Sequence, residues 1–100
     1  MIVTYKTRKL EKCFTTHKVA VKEFGDQVAR KYSLRIKIIQ QTTDLDELQK
    51  LPVLNCHPLK GNRAGQYAIK LTGFYRLIFT MVDDSLTIVR IEEVSKHYDD

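Results

Sequence analysis

A short loop in the middle of the chain carries the densest set of side chains that could do chemistry. It reads His57-Pro58-Leu59-Lys60-Gly61-Asn62-Arg63-Ala64-Gly65. Cationic side chains and backbone N–H groups in such a loop can meet a phosphate. It is not a nucleotide-binding P-loop, because the glycine spacing differs and no Lys-Ser/Thr pair follows. The alternative interpretation is a tight turn with surface charge.

A second candidate is Arg76, which interrupts the apolar run Tyr75–Met81. On a β-strand its side chain points away from the face shared by Tyr75, Leu77 and Phe79. An arginine among half-buried positions needs a partner. That partner is either an internal carboxylate, in a structural salt bridge, or an external anion.

The third candidate is the C-terminal run Lys96-His97-Tyr98-Asp99. A histidine titrates near neutral pH, so His97 beside Tyr98 can take part in proton transfer, and a disordered polar tail is the alternative. The histidines and cysteines show no paired spacing of the zinc type, so neither a metal nor another cofactor is expected. Cys56 is expected to pack rather than to act as a nucleophile.

Charge favours a polyanionic partner. The chain has 17 Lys and Arg against 12 Asp and Glu, a net charge of +5. The range 57–79 holds four of these cations and no carboxylate. Such a distribution is typical of nucleic-acid binding, although a solvated basic surface is the alternative. Because no membrane span or secretory signal is evident, we expect a cytoplasmic protein with free thiols.

The first half of the chain predicts a strand and helices. A strand is expected over Ile2–Thr7, a brief helix over Lys9–Phe14 and a longer helix over about Thr16–Gln41. An apolar stripe at three- and four-residue steps supports the long helix, with a bend or break at Gly25 or Ser33. Basic residues fall mostly off this stripe, toward solvent: Lys18, Lys22, Arg30, Arg35 and Lys37.

In the second half of the chain, one short helix is followed by residues that alternate with the two-residue period of a β-strand. Asp44 and Glu47 have capping-box spacing at the start of another helix, which Pro52 ends. Alternating residues then predict strands over 66–72, 75–81 and 86–94. The prediction is therefore a single α+β domain over residues 1–100, with N-terminal helices packed on an antiparallel sheet.

The run Leu51–Ile69 resembles HigB-type toxins, which belong to the plasmid-maintenance killer branch of the RelE/ParE toxin superfamily. Their pattern is L-P, then H-x-L-K-G-x-x-x-G-x-[YW]-x-[IV], then a strand of the type [YW]-R-[IL]-x-F. Here the last segment is Tyr75-Arg76-Leu77-Ile78-Phe79. The resemblance implies a RelE-like, microbial-RNase-type fold and ribosome-dependent endonucleolytic cleavage of mRNA. It also implies a HigA-like helix-turn-helix antitoxin as partner, with operator DNA bound only through that antitoxin.

Within this resemblance, His57, Lys60 and Arg76 match motif positions tied to catalysis. At the C-terminus many relatives have Asp-Tyr-His, whereas this chain has His97-Tyr98-Asp99. Attack by the ribose 2′-hydroxyl needs a base, an acid and positive charge but no metal.

We therefore expect Arg76 and Lys60 to stabilise the phosphorane, His57 or His97 to move protons, and Tyr98 to assist. Ribosomal RNA would be contacted by the basic residues Lys18, Lys22, Arg30, Arg35 and Arg63. The alternatives are a ParE-like toxin that inhibits DNA gyrase and a non-catalytic basic binding module, because fold does not fix function.

Overall fold

A computed structural model describes residues 1–96, so the predicted site residues His97 and Tyr98 lie outside the described part. Over residues 1–96 the chain forms a five-stranded sheet and four α-helices. In chain order they are β1 (Ile2–Tyr5), α1 (Arg8–Thr15), α2 (His17–Phe24), α3 (Asp26–Gln41), α4 (Leu45–Gln49), β2 (His57–Pro58), β3 (Gln66–Lys70), β4 (Tyr75–Met81) and β5 (Ile88–Lys96). Single 3-10 turns lie at Pro52–Leu54 and Gly61–Arg63.

The expected long helix is two helices separated at Gly25. This residue has φ +84°, a conformation that glycine adopts without steric penalty, and its N–H donates to the Val21 carbonyl at 2.8 Å. Ser33, by contrast, lies within the continuous helix α3. No helix within residues 1–96 combines the length and apolar character needed to cross a bilayer.

The predicted start of α4 is confirmed. The Glu47 N–H donates to Asp44 Oδ1 at 2.9 Å, which satisfies one amide at the helix N-terminus. The Glu47 carboxylate accepts from the Thr43 N–H at 3.2 Å, one residue earlier than in an ideal capping box. The short helix buries Leu45 and Leu48.

The sheet has the order β1-β5-β4-β3-β2 and is mixed rather than wholly antiparallel. Strand β1 pairs parallel to β5, with Tyr5 opposite Ile91, and the remaining pairs are antiparallel. A parallel pair needs a long crossover, which the helices provide here. The α+β architecture with helices packed on a sheet is confirmed, and the parallel edge is the feature that local patterns did not predict.

One face of the sheet carries the core. Side chains of α3 such as Tyr32 and Ile36 share a buried cluster with Leu77 and Phe79 of β4. The Tyr67 ring stacks on Phe79 with centroids 5.5 Å apart. Because side chains alternate along a strand, the residues between these core positions lie on the other face. We call this the open face; its members are Gln66, Ala68, Lys70, Arg76, Ile78, Thr80, Arg90, Glu92, Glu93 and Ser95.

Candidate functional site

Arg76 lies on the open face, on the central strand β4 beside the turn that joins β3 to β4, and its side chain points away from the core as the strand period predicted. It is only 7% exposed, and its Nη1 donates to the carbonyls of Thr72 at 2.7 Å and Tyr75 at 3.1 Å. Its Nε is buried without a hydrogen-bond partner, and no ion pair of Arg76 occurs within residues 1–96. The guanidinium is therefore anchored by backbone at one nitrogen and carries a charge that no described carboxylate neutralises.

Lys70 extends this positive region. Its Cα is the register partner of Arg76 across β3 and β4, so both side chains leave the same face of the sheet. On the other side of Arg76 the partner is the uncharged Ser95 of β5. The side chain of Lys70 is exposed to solvent, whereas that of Arg76 is buried.

His57 lies on the edge strand β2 and shares the open face. It pairs with Ala68, one two-residue step from Lys70. Arg76 lies two strands away from His57, which is about 10 Å across the sheet. It is also offset by two residues, or about 7 Å, along the strand direction. A phosphodiester seated on the face between them would have the imidazole on one side and the guanidinium on the other.

Local structure fixes the tautomer of His57. Its Nδ1 lies 2.8 Å from the Asn55 carbonyl oxygen, which can only accept, so Nδ1 carries the proton in the neutral ring. Asn55 has φ +47°, a left-handed conformation that asparagine tolerates, and ends the 3-10 turn at Pro52–Leu54. The other ring nitrogen, Nε2, is left with a lone pair that can accept a proton.

Lys60 is exposed in the loop after β2, at the other end of β3 from Arg76. The N–H of the preceding residue Leu59 donates to the Gln66 carbonyl at 2.8 Å. Gln66 begins β3 and Lys70 ends it, a separation of about 13 Å along the strand. The backbones of Lys60 and Arg76 thus lie at opposite ends of β3.

Arg63 ties the same loop to β5. Its Nη2 donates to Glu93 Oε2 at 2.9 Å, and both side chains are less than half exposed. The open face is not exposed throughout, because two of its members, Ala68 and Ile78, are each only 2% exposed. Arg63 was predicted to bind RNA; the structure gives it a carboxylate partner that an RNA phosphate would have to replace.

A β-bulge places two successive carboxylates on the open face. Ile78 pairs with Glu93 and Phe79 with Ile91, so Glu92 is the extra residue on β5. Its Oε2 accepts from Arg90 Nε at 2.6 Å and from Thr80 Oγ1 at 2.9 Å.

The pKa of Glu92 reflects two opposing influences. Burial would raise it, but the hydrogen bonds from Arg90 and Thr80, with the charges of Arg90 and Lys6, lower the pKa below its usual value. Glu92 is therefore an ionised carboxylate at neutral pH, already satisfied by its neighbours.

The predicted RNA-binding cations of the helices divide into two groups. Lys18, Lys22 and Arg30 are exposed, and Arg30 forms an ion pair with Asp26 at 3.1 Å. The expectation that Arg35 faces solvent is wrong. It is 8% exposed and its Nε donates to the Lys70 carbonyl at 3.1 Å, so it joins α3 to β3, and burial lowers its pKa.

Cys56 packs against the core, as expected. Burial raises the pKa of its thiol to about 12, so it is protonated at neutral pH and a poor nucleophile. Cys13 is buried within the core cluster. Neither thiol forms a disulfide.

Sequence reasoning did not single out Lys70 or the Glu92–Glu93 bulge as part of the site. Lys70 could have been found from the strand period, because the turn at 71–74 brings it opposite Arg76. The only sequence feature that could have indicated the bulge is the pair of adjacent carboxylates in a strand whose other residues alternate.

Comparisons with known proteins show which solved structures have a similar fold. No protein-family model matches the chain, and no curated protein matches its sequence. The structure is similar to a YoeB/ParE toxin from Agrobacterium tumefaciens, with 15% identity, a TM-score of 0.63 and coverage of 98% of this chain and 100% of that chain.

It is also similar to the YoeB–YefM toxin–antitoxin heterotetramer from Staphylococcus aureus, at 19% identity and a TM-score of 0.62 over 98% of each chain. A third similar structure is the DinJ–YafQ complex from E. coli, at 20% identity and a TM-score of 0.62 over 95% of this chain and 91% of that one. The expected fold of RelE/ParE-type toxins is thus confirmed. The narrower resemblance to HigB-type toxins stays a prediction.

Proposed function

We propose that this chain is the toxin of a type II toxin–antitoxin system, and that it is a ribosome-dependent mRNA endoribonuclease, an mRNA interferase, that inhibits translation. The observation that carries the proposal is Arg76: a buried guanidinium on the open face, held by backbone carbonyls, with no carboxylate partner within residues 1–96. A buried cation of this kind is suited to an external anion, and the scissile phosphate is that anion.

The proposed reaction is an internal transesterification that needs no metal. A base removes the proton of the ribose 2′-hydroxyl, and the 2′-oxygen attacks the adjacent phosphorus. The bond from phosphorus to the 5′-oxygen breaks as an acid gives that oxygen a proton. The products are a 2′,3′-cyclic phosphate and a free 5′-hydroxyl, and the protons balance between base and acid.

In this proposal His57 is the base, because the Asn55 carbonyl holds its proton on Nδ1 and leaves Nε2 to accept. Arg76, with Lys70 beside it, stabilises the charge on the phosphorane. His97 is the acid and Tyr98 assists; both roles rest on the residue types, because this chain departs from the Asp-Tyr-His order of many relatives. Lys60, at the far end of β3, binds the RNA backbone away from the cleaved phosphate.

The proposed partners are an antitoxin, the ribosome and mRNA. The similar structures of YoeB and YafQ were solved with YefM and DinJ, which supports an antitoxin for this chain. The motif resemblance further favours a HigA-like helix-turn-helix antitoxin, through which the pair binds operator DNA. A ribosomal substrate places the toxin in the cytoplasm, with exposed Lys18, Lys22 and Arg30 available to ribosomal RNA.

The proposal is tested by adding purified protein to a translation reaction and mapping the 5′ ends of the message. We expect new ends with 5′-hydroxyls, and only when ribosomes are present. Arg76→Ala and His57→Gln should each abolish these ends while preserving the circular-dichroism spectrum. Parent-like cleavage by both variants would reject the site.

The same samples distinguish the alternative functions. Intact message with inhibited supercoiling by DNA gyrase would replace the nuclease with a ParE-like gyrase inhibitor. Intact message with unimpaired gyrase, together with tight binding to the antitoxin alone, would indicate a basic binding module.

A further inference from the structure

One aromatic ring stands apart from the others. Phe74 is 66% exposed, in the turn that joins β3 to β4. Six of the other rings within residues 1–96 pair with one another, as Tyr5–Phe14, Phe24–Tyr32 and Tyr67–Phe79. The ring forgoes the stabilisation that burial would give and is accessible to a ligand.

Within the turn, Thr72 forms hydrogen bonds with both Phe74 and Arg76. The Phe74 N–H donates to Thr72 Oγ1 at 3.3 Å, and the Thr72 carbonyl accepts from Arg76 Nη1 at 2.7 Å. The Leu71 N–H closes the turn by donating to the Tyr75 carbonyl at 3.0 Å. Phe74 precedes Arg76 by two residues and lies at the end of the turn, directly before β4 begins at Tyr75.

Two cations, Lys70 and Arg76, flank the turn that carries the ring. Lys70 lies opposite Arg76, and the range 57–79 contains no carboxylate. The other large hydrophobics that are exposed lie in other elements or turns: Ile2, Leu34, Val53, Val82 and Leu86. An isolated exposed ring beside unneutralised cations matches single-stranded nucleic acid, whose bases stack on aromatic faces while its phosphates bind Lys and Arg.

We propose that Phe74 is a stacking platform for a base of the single-stranded RNA whose phosphate lies on Lys70 and Arg76. This inference rests on the proposed function, because it takes RNA as the substrate. Stacking on Phe74 fixes one nucleotide relative to the cleaved bond without reading its identity, since every base has a π-face. The codon-independent part of RNA binding is therefore assigned to this turn.

The absence of tryptophan from the sequence gives a direct test. Phe74→Trp supplies a single fluorophore, which is titrated with a short single-stranded oligoribonucleotide in the absence of ribosomes. We expect saturable quenching that weakens as salt rises. The matched control is Ile2→Trp, because Ile2 is 63% exposed on β1, at the edge of the sheet opposite β2 and away from the proposed RNA contacts of β2, β3 and β4. Equal quenching in the two variants, or none in Phe74→Trp, would overturn the inference.

Affinity gives a second readout. Phe74→Ala should weaken binding of the oligoribonucleotide about 5- to 150-fold, the equivalent of about 1–3 kcal/mol per stacked base, whereas Phe74→Tyr should retain it. If Phe74→Ala instead weakens only the complex with the antitoxin, the ring is a protein contact and the inference is wrong.

These measurements distinguish failure of the stacking inference from failure of the proposed nuclease function. Quenching of Phe74→Trp without any cleavage of message would leave the platform and reject the nuclease. Normal cleavage by Phe74→Ala, with parent-like RNA affinity, would leave the nuclease and reject the platform.

Discussion

Replacing Arg76 with methionine should remove activity while leaving the fold nearly as stable as the parent. The substitution deletes two hydrogen bonds to the carbonyls of Thr72 and Tyr75. Each hydrogen bond from a charged group contributes about 1.5–3 kcal/mol. Against this loss, the variant no longer buries an unpartnered Nε, which costs about 1–3 kcal/mol, and no longer desolvates a charge that lacks a described counterion.

The opposing contributions of Arg76 are similar in size, so we expect the free energy of unfolding to change by less than about 2 kcal/mol. Urea denaturation measures it, and growth inhibition on induction measures activity. Leu77→Ala is the matched contrast, because Leu77 is the next residue, is fully buried and faces the core. It should cost about 2–5 kcal/mol yet cleave message at temperatures where it is folded. A loss above about 3 kcal/mol for Arg76→Met, or undiminished toxicity, would refute the reasoning.

Three further predictions concern the fold around the site. Glu92→Gln should destabilise the protein most at neutral pH. Because the pKa of Glu92 is lowered in the folded protein, the stabilising contribution of the carboxylate is present above its ordinary pKa and is lost as pH falls through the lower pKa of the folded state, so urea melts of parent and variant should converge on acidification. Gly25→Ala should cost more than about 1 kcal/mol because φ is +84° there, whereas Gly73→Ala, where φ is not positive, should change the thermal midpoint little. The thiols of Cys13 and Cys56 should resist alkylation at pH 8 until the protein unfolds, because burial raises both pKa values, and mass spectrometry of iodoacetamide-treated samples at increasing urea measures this.

Elements with a strong local period were predictable. The strand β4 and its inward residues follow from alternation, and the break at Gly25 follows from the intrinsic preferences of glycine. The start of α4 follows from a cap that acts within three residues of Asp44.

Features that depend on residues distant in the sequence were not predictable. The parallel pairing of β1 with β5 joins segments separated by four helices, and no local pattern encodes it. Arg35 shows the same limit within a helix. Its polarity placed it toward solvent, but it borders the buried stripe of α3, and the Lys70 carbonyl at the end of β3 accepts its hydrogen bond.

The period of β4 separates the residues that hold the fold from those that meet a ligand. Tyr75, Leu77 and Phe79 pack toward the helices, while Arg76 points to the open face. Anchoring the guanidinium to backbone carbonyls fixes it without neutralising it, which a carboxylate partner would do. Arg90 differs from Arg76 in this respect, because its Nε donates to the Glu92 carboxylate at 2.6 Å and its charge is therefore paired. Of the two arginines on the open face, Arg90 is paired with a carboxylate and Arg76 has none within residues 1–96, so Arg76 is the arginine whose charge is available to a phosphate.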